Sequence, residues 1–203
     1  MSFELVECDQ KRVFFKKGEE IYHQHDSPQA FYYVKSGIVA LSRLLLNGKE
    51  VMERVYNDEH YFGYRSLFSE QTFHLSAKAL TSVEVCRIYV RDIDLFFSEN
   101  SLFIRYLMSQ LATELRHAEI RLSKMSSHCV ELRVIDSMIE LTEIGPNYNW
   151  TYREIASHCG CSTETVIRVG KKLRTNHLMD SQNNKKSYDL EKLYQERMRL
   201  AMG

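Results

Sequence analysis

Acidic and basic side chains share one face of a short segment near the C-terminus. Glu164 and Arg168 lie four residues apart among apolar residues spaced as in a helix, so both project from the same side of it. A carboxylate accepts a hydrogen bond from cytosine N4, and a guanidinium donates two to guanine O6 and N7. Further polar and basic residues on this outer face are Thr163, Lys171, Lys172 and Arg174. Together these groups predict a surface that contacts the edges of base pairs.

Basic charge is concentrated around this face. Between residues 162 and 186 the chain has six Lys or Arg and two Asp or Glu, a local balance of +4. The whole chain of 203 residues is neutral, with 27 residues of each sign, so its net charge indicates no polyanionic partner. Because basic residues neutralise phosphates, the local excess favours a nucleic-acid partner for this segment.

Two helices joined by a tight turn are predicted to position these groups. Thr151-Tyr152-Arg153-Glu154 forms a capping box, in which the first and last side chains satisfy exposed backbone donors. The helix over residues 152–158 ends at Cys159-Gly160-Cys161, where the glycine can take the left-handed conformation. Ser162 caps a second helix, whose inner side carries Val166, Val169 and Leu173. This pattern is typical of a helix-turn-helix, whose second helix enters the DNA major groove.

A small hairpin, or wing, is predicted beyond the second helix. Asn183-Asn184 forms its turn, between Leu178-Met179 and Ser187-Tyr188, with Lys185 and Lys186 placed to reach the phosphate backbone. A helical hairpin in the core of an enzyme is the alternative. The capping box, the turn glycine and the basic face agree with one another, which favours the winged helix-turn-helix.

A long helix precedes this part of the chain. Residues 98–127 contain neither Gly nor Pro, and a helix of that length spans about 45 Å, more than one small domain can cover. Its apolar residues follow a heptad spacing: Ile104, Met108, Leu111, Leu115, Ala118, Leu122 and Met125. A single amphipathic helix packed on its own domain is the alternative. The length of the seam favours a parallel two-stranded coil in a homodimer, with a hinge over residues 126–129.

The N-terminal half has the aromatic composition and short extended runs of a β-rich domain. Residues 31–34 and 38–41 predict a pair of strands joined by the turn Lys35-Ser36-Gly37. Asn47-Gly48 predicts a two-residue type I′ hairpin turn, which needs positive φ at both positions. Many short strands divided by turns favour a small barrel or a double-sheet roll over a βαβ sheet.

The order of these parts resembles the cyclic-AMP receptor protein and fumarate–nitrate regulator (Crp/Fnr) family of bacterial transcription factors. The most specific matches are Arg153-Glu154-Ile155-Ala156, residues 160–168 and Lys172-Leu173. Looser matches are Phe31-Tyr32-Tyr33-Val34, Ser36-Gly37, Asn47-Gly48-Lys49-Glu50, Tyr61-Phe62-Gly63 and Leu67-Phe68. The resemblance implies an α+β fold. A β-roll like a cyclic-nucleotide-binding jelly roll covers residues 1–97, a long dimerisation helix 98–127, and a winged helix-turn-helix 128–203.

The resemblance also implies roles for single residues. In the family, a Glu and an Arg that match Glu164 and Arg168 contact the bases of a TGA-type half-site. Thr163 stands where the cyclic-AMP receptor protein has another Arg, and Ile167 where the fumarate–nitrate regulator has a Ser, so the outer bases stay open. Phosphate contacts are implied for Thr151, Arg153, Ser162 and Thr165, and we expect them also from the basic Lys171 and Lys172.

The expected partners are double-stranded DNA and a second copy of the chain on a palindromic site, with RNA polymerase as a further candidate. No membrane partner is expected, because no stretch approaches about 18 uninterrupted apolar residues and the N-terminus is acidic rather than basic. We therefore expect a cytoplasmic protein. Its five scattered cysteines are expected to be reduced thiols.

The β-roll departs from the family's cyclic-AMP binders. Those proteins hold the ribose with a Glu and the cyclic phosphate with an Arg-Ser pair. This chain has Tyr64 at the Glu position and Leu75 or His74 at the Arg position. Without that guanidinium the phosphate loses its bidentate partner, although Arg65 could substitute. We expect that cyclic nucleotide does not bind in the usual manner, and the effector stays unknown.

We expect neither a cofactor nor a metal. A [4Fe–4S] cluster needs four thiolates, whereas Cys8 and Cys86 are the only two before the long helix. His74 is a candidate haem ligand, but such a histidine is more often a surface or hydrogen-bonded residue. His23 and His25 share a strand face with no evident third ligand.

The chain shows no enzyme motif: G-x-G-x-x-G, P-loop, H-E-x-x-H and G-x-S-x-G are all absent. Cys159 and Cys161 flank the helix-turn-helix turn, where packing is the favoured interpretation; a redox role would require lowered thiol pKa values. A protein-interaction module that kept this fold is the second functional alternative. Such a module would tolerate the loss of Glu164 and Arg168.

Overall fold

β-Branched and aromatic residues favour strands in the first part of the chain, and these strands pair into two four-stranded sheets. The computed structural model describes residues 3–69, 72–182 and 185–202. The chain divides into two units, Met1–Ile120 and Arg121–Gly203. The strands of the first unit are β1 (Cys8–Phe15), β2 (Glu20–Tyr22), β3 (Ala30–Ser36), β4 (Val39–Leu44), β5 (Glu50–Tyr56), β6 (Tyr61–Phe62), β7 (Ser76–Ala79) and β8 (Val83–Val90).

The two sheets enclose a core of aromatic and aliphatic side chains. The strand order is β1-β8-β3-β6 in one sheet and β2-β7-β4-β5 in the other. Between them, Tyr22 stacks on Phe73 with the ring centroids 3.7 Å apart, and Tyr32 stacks on Phe62 at 5.1 Å. Fully buried aliphatic residues fill the remaining space: Val34, Val39, Ala77, Ala79 and Val85. The predicted double-sheet roll is confirmed.

The predicted pairing of the strands at residues 31–34 and 38–41 is wrong. These strands are β3 and β4, and they belong to different sheets, because β3 lies between β8 and β6 and β4 lies between β7 and β5. Gly37, with φ of 101°, turns the chain from one sheet to the other. A Cβ atom at this position would lie 2.5 Å from the Ser82 carbonyl oxygen, so only glycine fits the crossing.

The hairpin of β4 and β5 forms as predicted, but its turn is not a two-residue type I′ turn. The Leu45 N–H donates to the Lys49 carbonyl oxygen and the Gly48 N–H to the Leu45 carbonyl oxygen, both at 2.9 Å. Gly48 has φ of 77°, whereas Asn47 does not take a positive φ. This is the three-residue loop with a glycine bulge, which needs only one left-handed residue.

The long helix is α3 (Ser101–Ser127), which follows the short helices α1 (Tyr64–Phe68) and α2 (Ile93–Glu99). It has two apolar faces. Phe103 and Leu107 are buried against the β-roll, in a cluster with Phe31 and Ile88. The predicted seam lies on another face, and most of it is exposed in the single chain: Met108 by 60%, Leu115 by 59%, Leu122 by 71% and Met125 by 49%. Ile104 and Leu111 are partly buried and Ala118 is exposed.

The second unit is helical, with one small hairpin. Its elements are α4 (Val130–Ile144), α5 (Tyr152–Cys159), α6 (Thr163–Thr175), β9 (Met179–Gln182), β10 (Lys185–Tyr188) and α7 (Leu190–Met202). β9 and β10 pair antiparallel, with Gln182 opposite Lys185 and Met179 opposite Tyr188. They are the predicted wing, whose turn residues Asn183 and Asn184 lie outside the described residues.

Candidate nucleic-acid interface

The start of α5 is held by the predicted capping box. The Thr151 hydroxyl oxygen accepts from the Glu154 N–H at 3.1 Å, and the Glu154 carboxylate accepts from the Thr151 N–H at 2.7 Å. Tyr148 donates its hydroxyl to the other Glu154 oxygen at 2.7 Å. These bonds satisfy exposed donors at the helix start and fix where α5 begins.

Gly160 makes the turn between α5 and α6. Its φ of 72° is left-handed, as predicted, and its N–H donates to the Ala156 carbonyl oxygen. The Cys161 N–H donates to the same oxygen at 3.1 Å. Ser162 then caps α6, because its hydroxyl oxygen accepts from the Thr165 N–H at 3.3 Å. Capped helices on both sides of a left-handed glycine give this turn one defined geometry.

The inner side of α6 packs through the three predicted residues, Val166, Val169 and Leu173, which are buried. The sequence patterns did not identify the contact of Gly170 with Tyr152. A Cβ atom there would lie 3.2 Å from the Tyr152 hydroxyl oxygen, so the ring of Tyr152 packs directly on the α6 backbone. The same hydroxyl accepts from Arg174 Nη1 at 2.9 Å. Because glycine is unfavourable inside a helix, its position in the middle of α6 was a signal of such a close approach.

The outer side of α6 presents the two residues expected to contact bases. Glu164 and Arg168 are both exposed, and Thr163 is partly buried at the first position of the helix. The Glu164 backbone N–H and the Ser162 hydroxyl hold the pKa of the Glu164 carboxyl below its ordinary value. Glu164 is therefore ionised at neutral pH and can only accept hydrogen bonds.

The residues expected to contact phosphates are not equivalent in the structure. Arg153 and Lys171 are exposed. Lys172 forms an ion pair, with its Nζ 2.7 Å from a Glu131 carboxylate oxygen. The Thr151 and Ser162 hydroxyls already cap α5 and α6. The Thr165 hydroxyl lies 3.1 Å from the Ser162 hydroxyl oxygen. The side chains of Lys185 and Lys186 lie outside the description.

A buried carboxylate ties together the end of α3, α4 and α7. Asp136 is 5% exposed, and its oxygens lie 2.5 Å from Arg197 Nε, 3.2 Å from His128 Nδ1 and 3.4 Å from Lys124 Nζ. Arg197 is 61 residues from Asp136 in the sequence, so no local pattern indicates the cluster. It lies next to the break between α3 and α4, at the hinge predicted over residues 126–129.

The β-roll cavity is small. Its volume is about 20 Å³, room for about one water molecule. The walls include Tyr22, Phe62, Tyr64, Arg65, Phe73 and His74. Aromatic side chains therefore occupy the space between the sheets.

Polar groups beside this cavity pair with α3. A Glu114 carboxylate oxygen accepts from the Tyr56 hydroxyl at 2.6 Å, and the carboxylate lies 3.5 Å from Arg54 Nε. Arg65 Nη1 is 3.9 Å from the same carboxylate. The hydroxyl of Tyr64 is buried and forms no hydrogen bond with the described residues. Arg54 and Arg65 thus face a carboxylate of the chain itself.

Leu75 and His74, the two candidates for the position of the family's phosphate-binding Arg, have different surroundings. Leu75 is 1% exposed and belongs to the core between the sheets. His74 is partly buried, with Nδ1 3.2 Å from the Ser66 hydroxyl oxygen. Burial, with Arg65 nearby, lowers the pKa of His74 below its ordinary value. His74 is therefore neutral at pH 7 and supplies no cation to a phosphate.

The described residues include no group of three or more His, Cys, Asp or Glu side chains arranged to hold a metal ion. Within the same residues, every helix is too short or too polar to cross a bilayer.

Comparison with known proteins places this fold in a family. The cyclic nucleotide-binding domain profile matches residues 12–100. The cyclic AMP receptor protein of Thermus thermophilus is 31% identical to the chain over 161 residues, which cover 78% of this chain and 74% of that protein. The chain belongs to the Crp/Fnr family. A Crp/Fnr family regulator from the same organism has a TM-score of 0.77 at 24% identity, covering 95% of this chain and 99% of its own.

The Crp/Fnr assignment confirms the predicted fold class, a β-roll followed by a long helix and a winged helix-turn-helix. It also gives the general function, which is regulation of transcription. A second relative, an uncharacterised protein of Haemophilus influenzae, is 42% identical over 100 residues, 49% of this chain and 78% of that protein.

Proposed function

We propose that this Crp/Fnr regulator is a homodimer that binds a palindromic DNA site with TGA-like half-sites through α6. The observation that carries the proposal is the outer face of α6, where an ionised Glu164 and an exposed Arg168 lie four residues apart. No described side chain forms an ion pair or hydrogen bond with Arg168. Because its guanidinium has no such partner, Arg168 can donate two hydrogen bonds to one guanine, at O6 and N7.

Phosphate contacts would fix the register of α6 on the duplex. We assign them first to Arg153 and Lys171, which are exposed. Lys172 would have to leave Glu131 before it could reach a phosphate. Thr151, Ser162 and Thr165 stand at the starts of α5 and α6, where backbone N–H groups and the helix dipole favour an anion.

The exposed seam of α3 supports a homodimer. Met108, Leu115, Leu122 and Met125 are at least 49% exposed in the single chain, although their spacing is that of a two-stranded coil. Pairing of two copies along this face would bury them. We accordingly assign effector sensing to residues 1–97, dimerisation to 98–127 and DNA binding to 128–203, with half-sites about one helical turn apart.

Control by cyclic AMP in the usual manner is not part of the proposal. A cavity of about 20 Å³ holds no nucleotide without movement of its walls. Tyr64 replaces the family's ribose-binding Glu, and Glu114 already faces Arg54 and Arg65.

Selection from a library of random duplexes, at fixed near-physiological salt, tests the proposed DNA contact. We expect a palindrome with TGA-like half-sites from the wild-type protein. Arg168→Ala should lose about 1–3 kcal/mol of discrimination at one base pair of each half-site, whereas Arg153→Ala should weaken all sequences alike. If neither Glu164→Ala nor Arg168→Ala changes the selected sequence, these two residues do not read the bases. If the wild-type protein selects no sequence at all, the chain is an interaction module rather than a reader of DNA.

Sedimentation equilibrium tests the dimer. Leu115→Glu places a charge in the seam, and Thr113→Glu places the same charge on the opposite side of α3. We expect only Leu115→Glu to give monomers and to lose binding to the palindrome. Equal effects of the two substitutions would contradict the assignment of the seam as the dimer interface.

Titration of the selected duplex with the protein, with and without cyclic AMP, tests whether the nucleotide controls DNA binding. We expect the same affinity in both conditions and no shift of the unfolding temperature of the β-roll. A shift that depends on cyclic AMP concentration would show that the cavity opens for the nucleotide.

A further inference from the structure

Two thiols lie in contact across the helix-turn-helix turn. The sulfur atoms of Cys159 and Cys161 are 3.0 Å apart, and neither cysteine forms a disulfide. The left-handed conformation of Gly160 between them brings the two side chains to the same side of the turn. Cys159 is buried and Cys161 is partly exposed, so the pair is reached from solvent through Cys161.

The environment of the pair favours a thiolate. The hydrogen bond with Cys161 lowers the pKa of the Cys159 thiol despite its burial, and the charge of Arg133 acts in the same direction. Either thiol can donate its proton to the other sulfur. When the pair loses one proton, the negative charge therefore belongs to the pair rather than to one residue. A thiolate, and not a thiol, is the nucleophile in cysteine oxidation.

We propose that Cys159 and Cys161 are an oxidation site, at which a peroxide converts the two thiols into an intrachain disulfide across the turn. When the remaining proton is on Cys159, the negative charge is on the Cys161 sulfur, which is the one reached from solvent. This sulfur attacks one peroxide oxygen, and the second oxygen leaves as hydroxide, which takes up the proton that the pair had released and becomes water. The product is a sulfenic acid on Cys161. Cys159 attacks that sulfur, and its proton leaves with the sulfenic hydroxyl as a second water. Two electrons pass from the two sulfurs to the peroxide.

The other cysteines have a different environment. Burial raises the pKa values of Cys8 and Cys86, which keeps them as unreactive thiols. Cys129 is exposed at the start of α4. A low concentration of peroxide should therefore oxidise Cys159 and Cys161 before Cys8 and Cys86.

The disulfide would act on α6, a step that rests on the proposed DNA contact. A disulfide bond is about 2.05 Å long, so the sulfurs must approach from their present 3.0 Å. Cys161 directly precedes Ser162, the residue that caps α6. We expect the movement to disturb this cap and to weaken binding to the operator about fivefold, the size of one lost cap.

Peptide mapping tests the modification without reference to DNA. The full-length protein is treated with hydrogen peroxide, alkylated and digested with trypsin, which cuts after Arg153 and Arg168 and leaves both cysteines in one peptide. We expect this peptide to lose the mass of two hydrogen atoms and to take up no alkyl group. The Cys129→Ser control should behave like the wild type. Alkylation of both sulfurs after peroxide treatment, or a link to a different cysteine, would overturn the proposal.

Operator binding by the oxidised protein tests the coupling. We expect weaker binding by the oxidised wild type, recovery after dithiothreitol, and no response in Cys161→Ser, whose folding is checked by the fluorescence of buried Trp150. Unchanged binding with the disulfide present would refute the coupling to α6. A reduced protein that selects no DNA would instead refute the proposed function, while the peptide masses still decide whether the oxidation site exists.

Discussion

Replacement of His158 by Gln should remove much of the acid sensitivity of the second unit. His158 is 8% exposed, and its Nδ1 lies 3.0 Å from the Ser137 hydroxyl oxygen. Burial, with Arg121 and Lys124 nearby, lowers its pKa to about 3. The Glu140 carboxylate is 4.0 Å from Nε2 and 46% exposed, too far and too hydrated to offset that burial. His158 is therefore neutral in the folded protein over the range from pH 5.0 to pH 7.5.

The sign and size of the effect follow from proton linkage. In the unfolded chain the pKa of a histidine is about 6.5, so below that pH the unfolded state binds a proton that the folded state does not. The free energy of unfolding therefore falls as the pH is lowered. Between pH 7.5 and pH 5.0 the loss is about 1.4 kcal/mol for each of roughly 1.5 pH units, or about 2 kcal/mol.

Trp150 provides the measurement, because it is the only tryptophan and is 2% exposed in the second unit. Urea unfolding followed by its fluorescence at several pH values gives the free energy of unfolding of that unit. We expect His158→Gln to lose about 2 kcal/mol less than the wild type between pH 7.5 and 5.0. His117→Gln, at an exposed position of α3, should retain the wild-type pH dependence. Parallel curves for wild type and His158→Gln would refute the reasoning.

Three further substitutions test other parts of the structure. Thr151→Ala removes the side-chain cap of α5 and should lower the urea stability measured at Trp150 by about 1 kcal/mol; no change would mean that Glu154 alone holds the helix start. Asp136→Ala leaves Arg197 and His128 without their carboxylate, whereas Lys124 keeps its ion pair with Glu140. The substitution should cost about 2–3 kcal/mol in the same assay, an effect that a purely surface ion pair would not show. Gly37→Ala places a Cβ atom 2.5 Å from the Ser82 carbonyl oxygen. Circular dichroism should show a lower unfolding temperature for the β-roll, and an unchanged temperature would contradict the tight crossing.

The local parts of the interface could be predicted from the sequence because their causes are local. The capping box at Thr151 and Glu154, the left-handed Gly160 and the cap at Ser162 each depend on a few adjacent residues. The buried residues of α6 follow from helical spacing alone. Each of these predictions is confirmed.

The parts that the sequence patterns missed depend on residues far apart in the chain. β3 and β4 were predicted to pair because they are adjacent in sequence, whereas the order of strands in each sheet depends on partners many residues away. The ion pair between the Asp136 carboxylate and Arg197 of α7 likewise joins residues that are far apart in the chain. Lys172 was expected on a phosphate, and no local pattern indicates its ion pair with Glu131.

The pairing of the first and last strands of the β-roll has a consequence for how the chain folds. Among the described strands β1 pairs with β8 alone, from Cys8 opposite Val90 to Phe15 opposite Val83. During synthesis β1 therefore cannot complete its pairing until Val90 has left the ribosome. Until then the backbone N–H and C=O groups of β1 can pair with another nascent chain. In the second unit α4 packs on α5 and α5 packs on α6, and these helix pairs are close in sequence and should form quickly once made. Closure of the β-roll by β8 should therefore be slower than formation of these two helix pairs.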